Sequence, residues 1–424
     1  MKRRDFLARL GASYVAASSL LFDNPFRPRF RVARAASGKT LIVLFQKGGN
    51  DGLNTVVPYG DADYYVHRPT LGIAPPGSGS NAAINLDGFF GLHPALTALE
   101  PIYASGDMAI MPAVHYDNAG RSHFDAQFLM QTAPGSVRES DGWLNRHLVS
   151  QPGAPGLRAV SFAHGEDAGM ADSLRGPAVV SSFGDITQFG LGLPPAEETQ
   201  ALQRLAAVYN QTPDASRVYA QLVHDFGRVV IDDIALVNAI DFAGYVPANG
   251  AVYPNSSLGT AMKQTAQLIK EGVGLEVAAL TRHLFDTHDN QGGGTPGTAH
   301  YKLLQDFGNS MAALHTDLGA LMSDVVVLTM TEFGRTAKEN ASGGTDHGNA
   351  SAWFAMGAEV SGGIYLGSGW PGLAPANLFE GRDLMHTLNY RDALAEVLVR
   401  HLGNADLAAV LPEHTYTPIG FLPV

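Results

Sequence analysis

Two apolar runs, each followed at once by a polar loop, constrain the fold of this chain most strongly. The first run occupies residues 40–45 (TLIVLF) and leads into GGNDG at residues 48–52. The second occupies residues 324–330 (DVVVLTM) and leads into TEFGR at residues 331–335. Apolar runs of this kind are typical of strands in a parallel sheet that is buried on both faces. They predict an α/β fold with polar residues at the carboxyl ends of its strands.

Weaker periodic signals fill the rest of the chain. The spacing of apolar residues predicts strands at residues 108–113 and around Leu284, and helices within residues 93–104, 122–131, 260–279 and 299–322. Because strand and helix signals alternate, we expect a mostly parallel sheet with helices on both faces. Residues 37–424 contain no internal repeat and no low-complexity linker, which favours a single domain.

The first 36 residues have the pattern of an export signal. Residues 2–10 read KRRDFLARL, a mildly apolar stretch follows, and ARA at residues 33–35 offers a cleavage site. The paired arginines resemble a bacterial twin-arginine signal, although a chance basic amphipathic segment is the alternative. The apolar stretch is shorter than the roughly 20 residues that a transmembrane helix needs, and no other segment qualifies. We therefore expect a periplasmic or extracellular protein with no transmembrane segment after signal removal.

Charge and composition exclude several classes of function. The chain has a net charge of −12, and loss of residues 1–35, with eight basic and two acidic residues, would leave −18. Such an acidic protein is a poor match for nucleic acid, whose phosphates require Lys and Arg. The chain has no cysteine, so thiolate metal sites and thiol nucleophiles are excluded.

Acids and histidines stand in the loops that follow the predicted strands. They comprise Asp51, the DTHD segment at residues 286–289, Glu332, and the adjacent Asp346 and His347. Ligands gather at the carboxyl ends of strands in α/β sheets. Oxygen and imidazole groups suit zinc, manganese or magnesium, so the pattern predicts a site for one or two divalent ions. The alternative is that these residues only form turns and helix caps.

Ser122 precedes the predicted helix at residues 122–131 and offers a hydroxyl at its amino end. The positive end of a helix dipole stabilises an alkoxide or a bound anion there. On spacing alone, an ordinary helix cap is the more frequent role of such a serine. The chain has no Gly-x-Ser-x-Gly elbow and no phosphate-binding glycine loop between a strand and a helix, so neither a serine-hydrolase triad nor a nucleotide cofactor is indicated.

Taken together, the motifs resemble those of a known family. In order they are GGNDGLN (48–54), SHFDAQ (122–127), DTH (286–288), TEFGRT (331–336), GTDHG (344–348) and NYR (389–391). This set resembles a bacterial family of exported proteins known as domain of unknown function 1501, which is similar to the alkaline phosphatase and sulfatase superfamily. The resemblance implies a three-layer, alkaline-phosphatase-like sandwich.

The resemblance also implies roles for individual residues. It places Asp286, His288 and His347 on one metal, Glu332 on a second metal, and Asp51 and Asp346 among the metal-binding acids. It implies that Ser122 is the nucleophile and that Arg335, or Arg121, holds the substrate anion. Phe333 stands where the superfamily usually has a histidine, a departure that favours one metal over two.

The function that the resemblance implies is metal-dependent hydrolysis of phosphate or sulfate esters, with an anionic small molecule as substrate. A second hypothesis is a non-catalytic exported binding or assembly protein that keeps the fold and a structural metal. A third is an exported protein without a metal. The sequence names no protein partner.

Overall fold

The computed structural model describes residues 38–423, apart from 118, 137–140, 152–156, 163–177, 181–194 and positions scattered between 215 and 238. The predicted signal peptide, residues 1–36, lies outside the described residues. No helix in the described part of the chain is long and apolar enough to span a membrane.

Twelve strands are present in the described residues. They are β1 (Thr40–Gln46), β2 (Val56–Val57), β3 (Ile84–Asn85), β4 (Gly91–Leu92), β5 (Met108–His115), β6 (Ala159–Phe162), β7 (Ala178–Val180), β8 (Val277–Arg282), β9 (Val325–Met330), β10 (Ser351–Met356), β11 (Gly363–Ile364) and β12 (Leu388–Asn389). The α-helices are α1 (Gly52–Thr55), α2 (Ala62–His67), α3 (Glu100–Ser105), α4 (His123–Thr132), α5 (Trp143–Ser150), α6 (Pro195–Tyr209), α7 (Ser257–Glu271), α8 (Ala299–Leu318), α9 (Tyr390–Glu396) and α10 (Leu407–Val410).

A nine-stranded sheet organises the described residues. Its order is β11–β5–β10–β9–β1–β8–β6–β7, with β12 also paired to β5. β1 lies between β8 and β9 and is parallel to both, so that Leu41 is level with Val277 on one side and Val326 on the other. Among the described strands of this sheet, β10 alone runs antiparallel to its neighbours, β5 and β9. The predicted mostly parallel sheet is confirmed.

The sheet is covered by helices on both faces. Side chains of a strand point to opposite faces in turn, and those of β1 divide between two separate apolar clusters. Ile42 and Leu44 pack with residues of α7 and α8, whereas Leu41 and Val43 pack with residues of α5 and α9. All of β1 is buried, which explains why its apolar run in the sequence is uninterrupted. The predicted three-layer arrangement is confirmed.

Two boundaries between residues 260 and 284 differ from the prediction. The predicted helix over 260–279 ends at Glu271, where Gly272 takes a left-handed conformation with φ 65°. The strand expected around Leu284 is β8, Val277–Arg282. The error arises because a short apolar run has no periodicity that separates strand from helix, whereas the left-handed glycine marks the end of the helix. Leu284 itself lies in the following loop, with φ 79°.

The sheet order brings three polar loops to one edge. β9, β1 and β8 are neighbours and parallel, so the loops at residues 331–335, 48–52 and 283–289 leave the sheet side by side. The loop after β1 turns at Gly48 and Gly49, with φ of 120° and 73°. A Cβ atom on Gly48 would collide with the backbone nitrogen of Asp286, so glycine is required for the two loops to approach.

Candidate metal centre

Imidazole and carboxylate groups converge at this edge of the sheet. His123, Asp286 and His347 each offer a ligand atom, and these atoms lie within 4.8 Å of one another. His288 adjoins them, with its Nε2 atom 3.0 Å from Asp286 Oδ1 and 2.9 Å from His347 Nε2. Asp286 Oδ1 is also 3.1 Å from His347 Nε2 and 3.4 Å from His123 Nε2. The three imidazole rings therefore surround one oxygen of the Asp286 carboxylate.

Separate elements deliver these side chains. Asp286 and His288 lie in the loop after β8, and His347 lies between β9 and β10. His123 is the first residue of α4, which follows β5 and lies more than 160 residues before Asp286 in the chain. The site therefore forms only when the sheet has assembled.

Hydrogen bonds at Nδ1 orient the three imidazole rings. His347 Nδ1 lies 2.9 Å from the Arg121 carbonyl oxygen, which can only accept. His288 Nδ1 lies 3.0 Å from Asp346 Oδ1, and His123 Nδ1 lies 2.8 Å from Glu332 Oε1. Since an ionised carboxylate also only accepts, each Nδ1 atom is the donor. In the neutral form of each ring, the Nε2 atom then carries the lone pair and faces Asp286.

This arrangement of acceptors fits a cation. When the rings are neutral, three Nε2 lone pairs and Asp286 Oδ1 face one another, and Arg335 Nη2 also donates to that oxygen at 2.7 Å. His123 Nε2 is buried and has no hydrogen-bond partner in the described structure. Nitrogen and oxygen ligands with Nδ1–H bound to a carboxylate or carbonyl are typical of zinc-type centres. The donor set therefore fits a borderline divalent ion.

The surrounding charges keep the acids of the centre ionised. Partial burial acts to raise the pKa of Asp286, but its hydrogen bond and ion pair with Arg335 lower it to about 2. Burial likewise acts to raise the pKa of Glu332, and the hydrogen bonds from His123 and Gln127 lower it below its ordinary value. For His347, burial lowers the pKa and so favours the neutral ring that a metal requires.

Arg335 joins the loops of the centre. Its guanidinium is buried and donates to the carbonyl oxygens of Gly49 (2.6 Å), Phe285 (3.0 Å), Thr345 (3.0 Å) and Gly48. It also donates to Asp286 Oδ1 at 2.7 Å. These contacts favour a role in positioning Asp286 over the predicted direct contact with a substrate anion.

The ring of Phe333 packs against two of the histidines. Its ring is fully buried, and its centroid lies 4.8 Å from those of both His123 and His347. The Phe333 side chain therefore packs against two imidazoles of the site.

Two of the predicted acids contact histidines of the centre, and a third pairs with a buried arginine. Glu332 and Asp346 contact the Nδ1 atoms of His123 and His288 respectively. Asp51 is fully buried, where it pairs with Arg68 Nη1 at 2.5 Å and accepts from Gln291 Nε2 at 2.6 Å. The role of these three acids as direct metal ligands stays a prediction.

Ser122 occupies the N-cap position of α4. Its Oγ atom accepts from the backbone nitrogen of Asp125 at 3.5 Å, a long capping bond. Its chain neighbours both serve the centre, since Arg121 supplies the carbonyl bound by His347 and His123 supplies an imidazole. The nucleophilic role of Ser122 stays a prediction.

His123 is a residue of the centre that the sequence patterns did not predict as a metal ligand. Its signal was present, because it stands in SHFDAQ directly after the serine that was singled out. The local sequence does not show that His123 pairs with Glu332, which orients the ring, because Glu332 lies 209 positions away in the chain.

One family comparison bears on the identity of the chain. Residues 258–413 match the family described as "Protein of unknown function (DUF1501)". This match confirms the predicted resemblance. The DUF1501 segment holds Asp286, His288, Glu332 and His347, whereas His123 lies before it. No curated protein matches the chain.

Several solved structures are similar at low identity. The lipoteichoic acid synthase LtaP from Listeria monocytogenes is 10% identical, with a TM-score of 0.34 over 84% of this chain and 74% of that one. A protein in the alkaline phosphatase superfamily from Vibrio parahaemolyticus is 13% identical, with a TM-score of 0.34 over 86% and 71%. The phosphonate monoester hydrolase of Agrobacterium radiobacter is 10% identical, with a TM-score of 0.32 over 90% and 78%.

Proposed function

We propose that this protein is an exported hydrolase of phosphate or sulfate esters that depends on a divalent metal, zinc, manganese or magnesium. The observation that carries the proposal is the convergence of three histidine Nε2 atoms on Asp286 Oδ1. We assign the ion to His123, Asp286, His288 and His347. A bound divalent ion would supply Lewis-acid polarisation of the ester oxygen.

The protein's own residues orient this set. Glu332 and Asp346 hold the rings of His123 and His288 through Nδ1, and the Arg121 carbonyl does the same for His347. Hydrogen bonds of this kind fix the tautomer and make Nε2 more basic. Arg335 holds Asp286 in its ionised form.

Ser122 is the proposed nucleophile. Its position at the amino end of α4, a helix of ten residues, places its hydroxyl in the positive end of the dipole. Attack of Oγ on phosphorus or sulfur, with its proton released to water, would form a serine ester and expel the alcohol. Water would then hydrolyse the serine ester.

The first experiment is to measure the metal content of the protein purified without chelator or affinity metal. We expect about one equivalent of ion, lost in His347→Ala and kept in His315→Ala. His315 is a matched control because it lies on α8 and pairs with Asp107 instead. A protein with no metal, and none taken up on titration, would refute the proposal.

A structural metal without turnover is the second candidate, and the packing of Phe333 against two imidazoles favours it. Ser122→Ala distinguishes the two. In a hydrolase the variant keeps its metal and loses turnover of aryl phosphates or sulfates. For a structural site, metal removal lowers the free energy of unfolding, and no aryl ester is hydrolysed by the wild type.

A further inference from the structure

A surface pocket adjoins the candidate metal centre on the far side of His288. We call it the side pocket; it has a volume of about 560 Å³, and its lining includes Val66, Lys338, Asn340, Asp346 and Arg382. Asp346 contacts His288 Nδ1, the ring atom that points away from the centre. The side pocket is therefore separated from the centre by one imidazole ring.

Hydrogen bonds connect the wall of the side pocket to the centre. Asn340 donates to the backbone oxygen of His288 at 2.8 Å and to Asp346 Oδ1 at 3.1 Å. Arg382 donates to the backbone oxygen of His347. A small molecule bound in the side pocket would thus contact the same residues that hold the metal-binding histidines in place.

Three of the charged side chains that line the side pocket have hydrogen-bond or ion-pair partners within the protein. Glu339 accepts from the backbone nitrogens of Thr70 and Leu71, and Asp346 accepts from His288 and Asn340. The guanidinium of Arg382 is partly occupied by Asp383 at 2.9 Å.

The Lys338 ammonium differs from these groups. It is exposed, and no side-chain partner for it occurs among the described residues. Glu339 and Asp346 already accept hydrogen bonds from the protein, whereas the positive charge of Lys338 is available to a bound molecule.

We propose that the side pocket binds a second anionic group of the substrate, held by Lys338 with Arg382 beside it. The inference rests on the proposed function, since it places the ester at the centre and the second group one imidazole away. The substrate class is then an ester of phosphate or sulfate whose alcohol part carries a carboxylate, sulfate or phosphate of its own. Charge-assisted contacts of this type are stronger than neutral ones and select for such a group.

The test compares two substrates that differ only in the second charge, phenyl phosphate and 4-carboxyphenyl phosphate, together with the matching sulfates. We expect the wild type to favour the carboxylated ester in kcat/KM by about two- to fivefold, the upper part of the range for one exposed ion pair. Lys338→Gln should lower the ratio of the two kcat/KM values to about one, whereas Lys338→Arg should keep the preference. Lys302→Gln, which removes an exposed charge on α8, is the control.

A wild type without the preference, or a Lys338→Gln variant that retains it, would overturn the inference. If none of the esters is hydrolysed, the proposed function fails, and calorimetric binding of the two phosphates decides the inference separately. Tighter binding of the carboxylated compound that is lost in Lys338→Gln supports the side pocket. Equal binding of the two compounds, or no binding of either, overturns it.

Discussion

Glu332→Gln tests directly whether the histidines are oriented to hold an ion. Three donors converge on Glu332 Oε1: the backbone nitrogen of Gly48 at 2.9 Å, His123 Nδ1 at 2.8 Å and Gln127 Nε2 at 2.8 Å. Glutamine keeps the shape of the side chain and can accept through its amide oxygen. It removes the negative charge behind His123, and with it the basicity that this charge gives to Nε2.

The expected magnitude follows from that geometry. Loss of a carboxylate partner to a ligating histidine costs about ten- to hundredfold in metal affinity, or about 1.4–2.7 kcal/mol. The metal-free variant should lose only about 1 kcal/mol in free energy of unfolding, because the buried donors keep an acceptor. Glu332→Ala should instead cost about 3 kcal/mol, since it leaves those donors without one.

The assay is the zinc dissociation constant, measured by competition with a chromophoric chelator at constant pH, beside urea unfolding of the metal-free protein. Glu413→Gln is the control, because that carboxylate accepts from Ser136 rather than from a histidine. A zinc affinity within twofold of the wild type in Glu332→Gln would refute the reasoning. So would an equal loss in the control.

Three further predictions concern the framework of the centre. Arg335→Met should lower the free energy of unfolding by about 3–5 kcal/mol in urea, because Asp286 and several buried carbonyls lose their donor. Gly48→Ala should lower both thermal stability and metal uptake, since the added Cβ meets the backbone of Asp286 and φ is 120°. Burial alone would raise the pKa of Asp51, but the charge of Arg68 lowers it below its ordinary value. That pair therefore stabilises the fold above about pH 4. Asp51→Asn should cost about 3–5 kcal/mol in free energy of unfolding at pH 7 and progressively less as the pH falls below about 4.

The local sequence predicts the strands at the centre of the sheet well, and it predicts the surrounding elements less well. β1 and β9 were recognised because a strand covered on both faces has no polar position to interrupt its apolar run. The antiparallel strand β10, Ser351–Met356, was not predicted. Its direction depends on pairing with β5 and β9, which local spacing does not encode.

The same division applies to the candidate centre. The family resemblance implies that Asp286, His288 and His347 form one set, and the structure brings these three side chains together. His123 was missed, because its contribution depends on Glu332, which lies in a distant loop.

By itself, the sequence determined that polar loops follow buried parallel strands, because burial on both faces demands continuous apolar runs and leaves acids and histidines to the loops. It also determined which side chains were available there. Only the tertiary structure decided which nitrogen of each histidine faces Asp286, since the partners of Nδ1 come from Arg121, Glu332 and Asp346. A hydrogen bond between residues far apart in the chain depends on the folded positions of both, and three such bonds turn the Nε2 atoms toward one carboxylate.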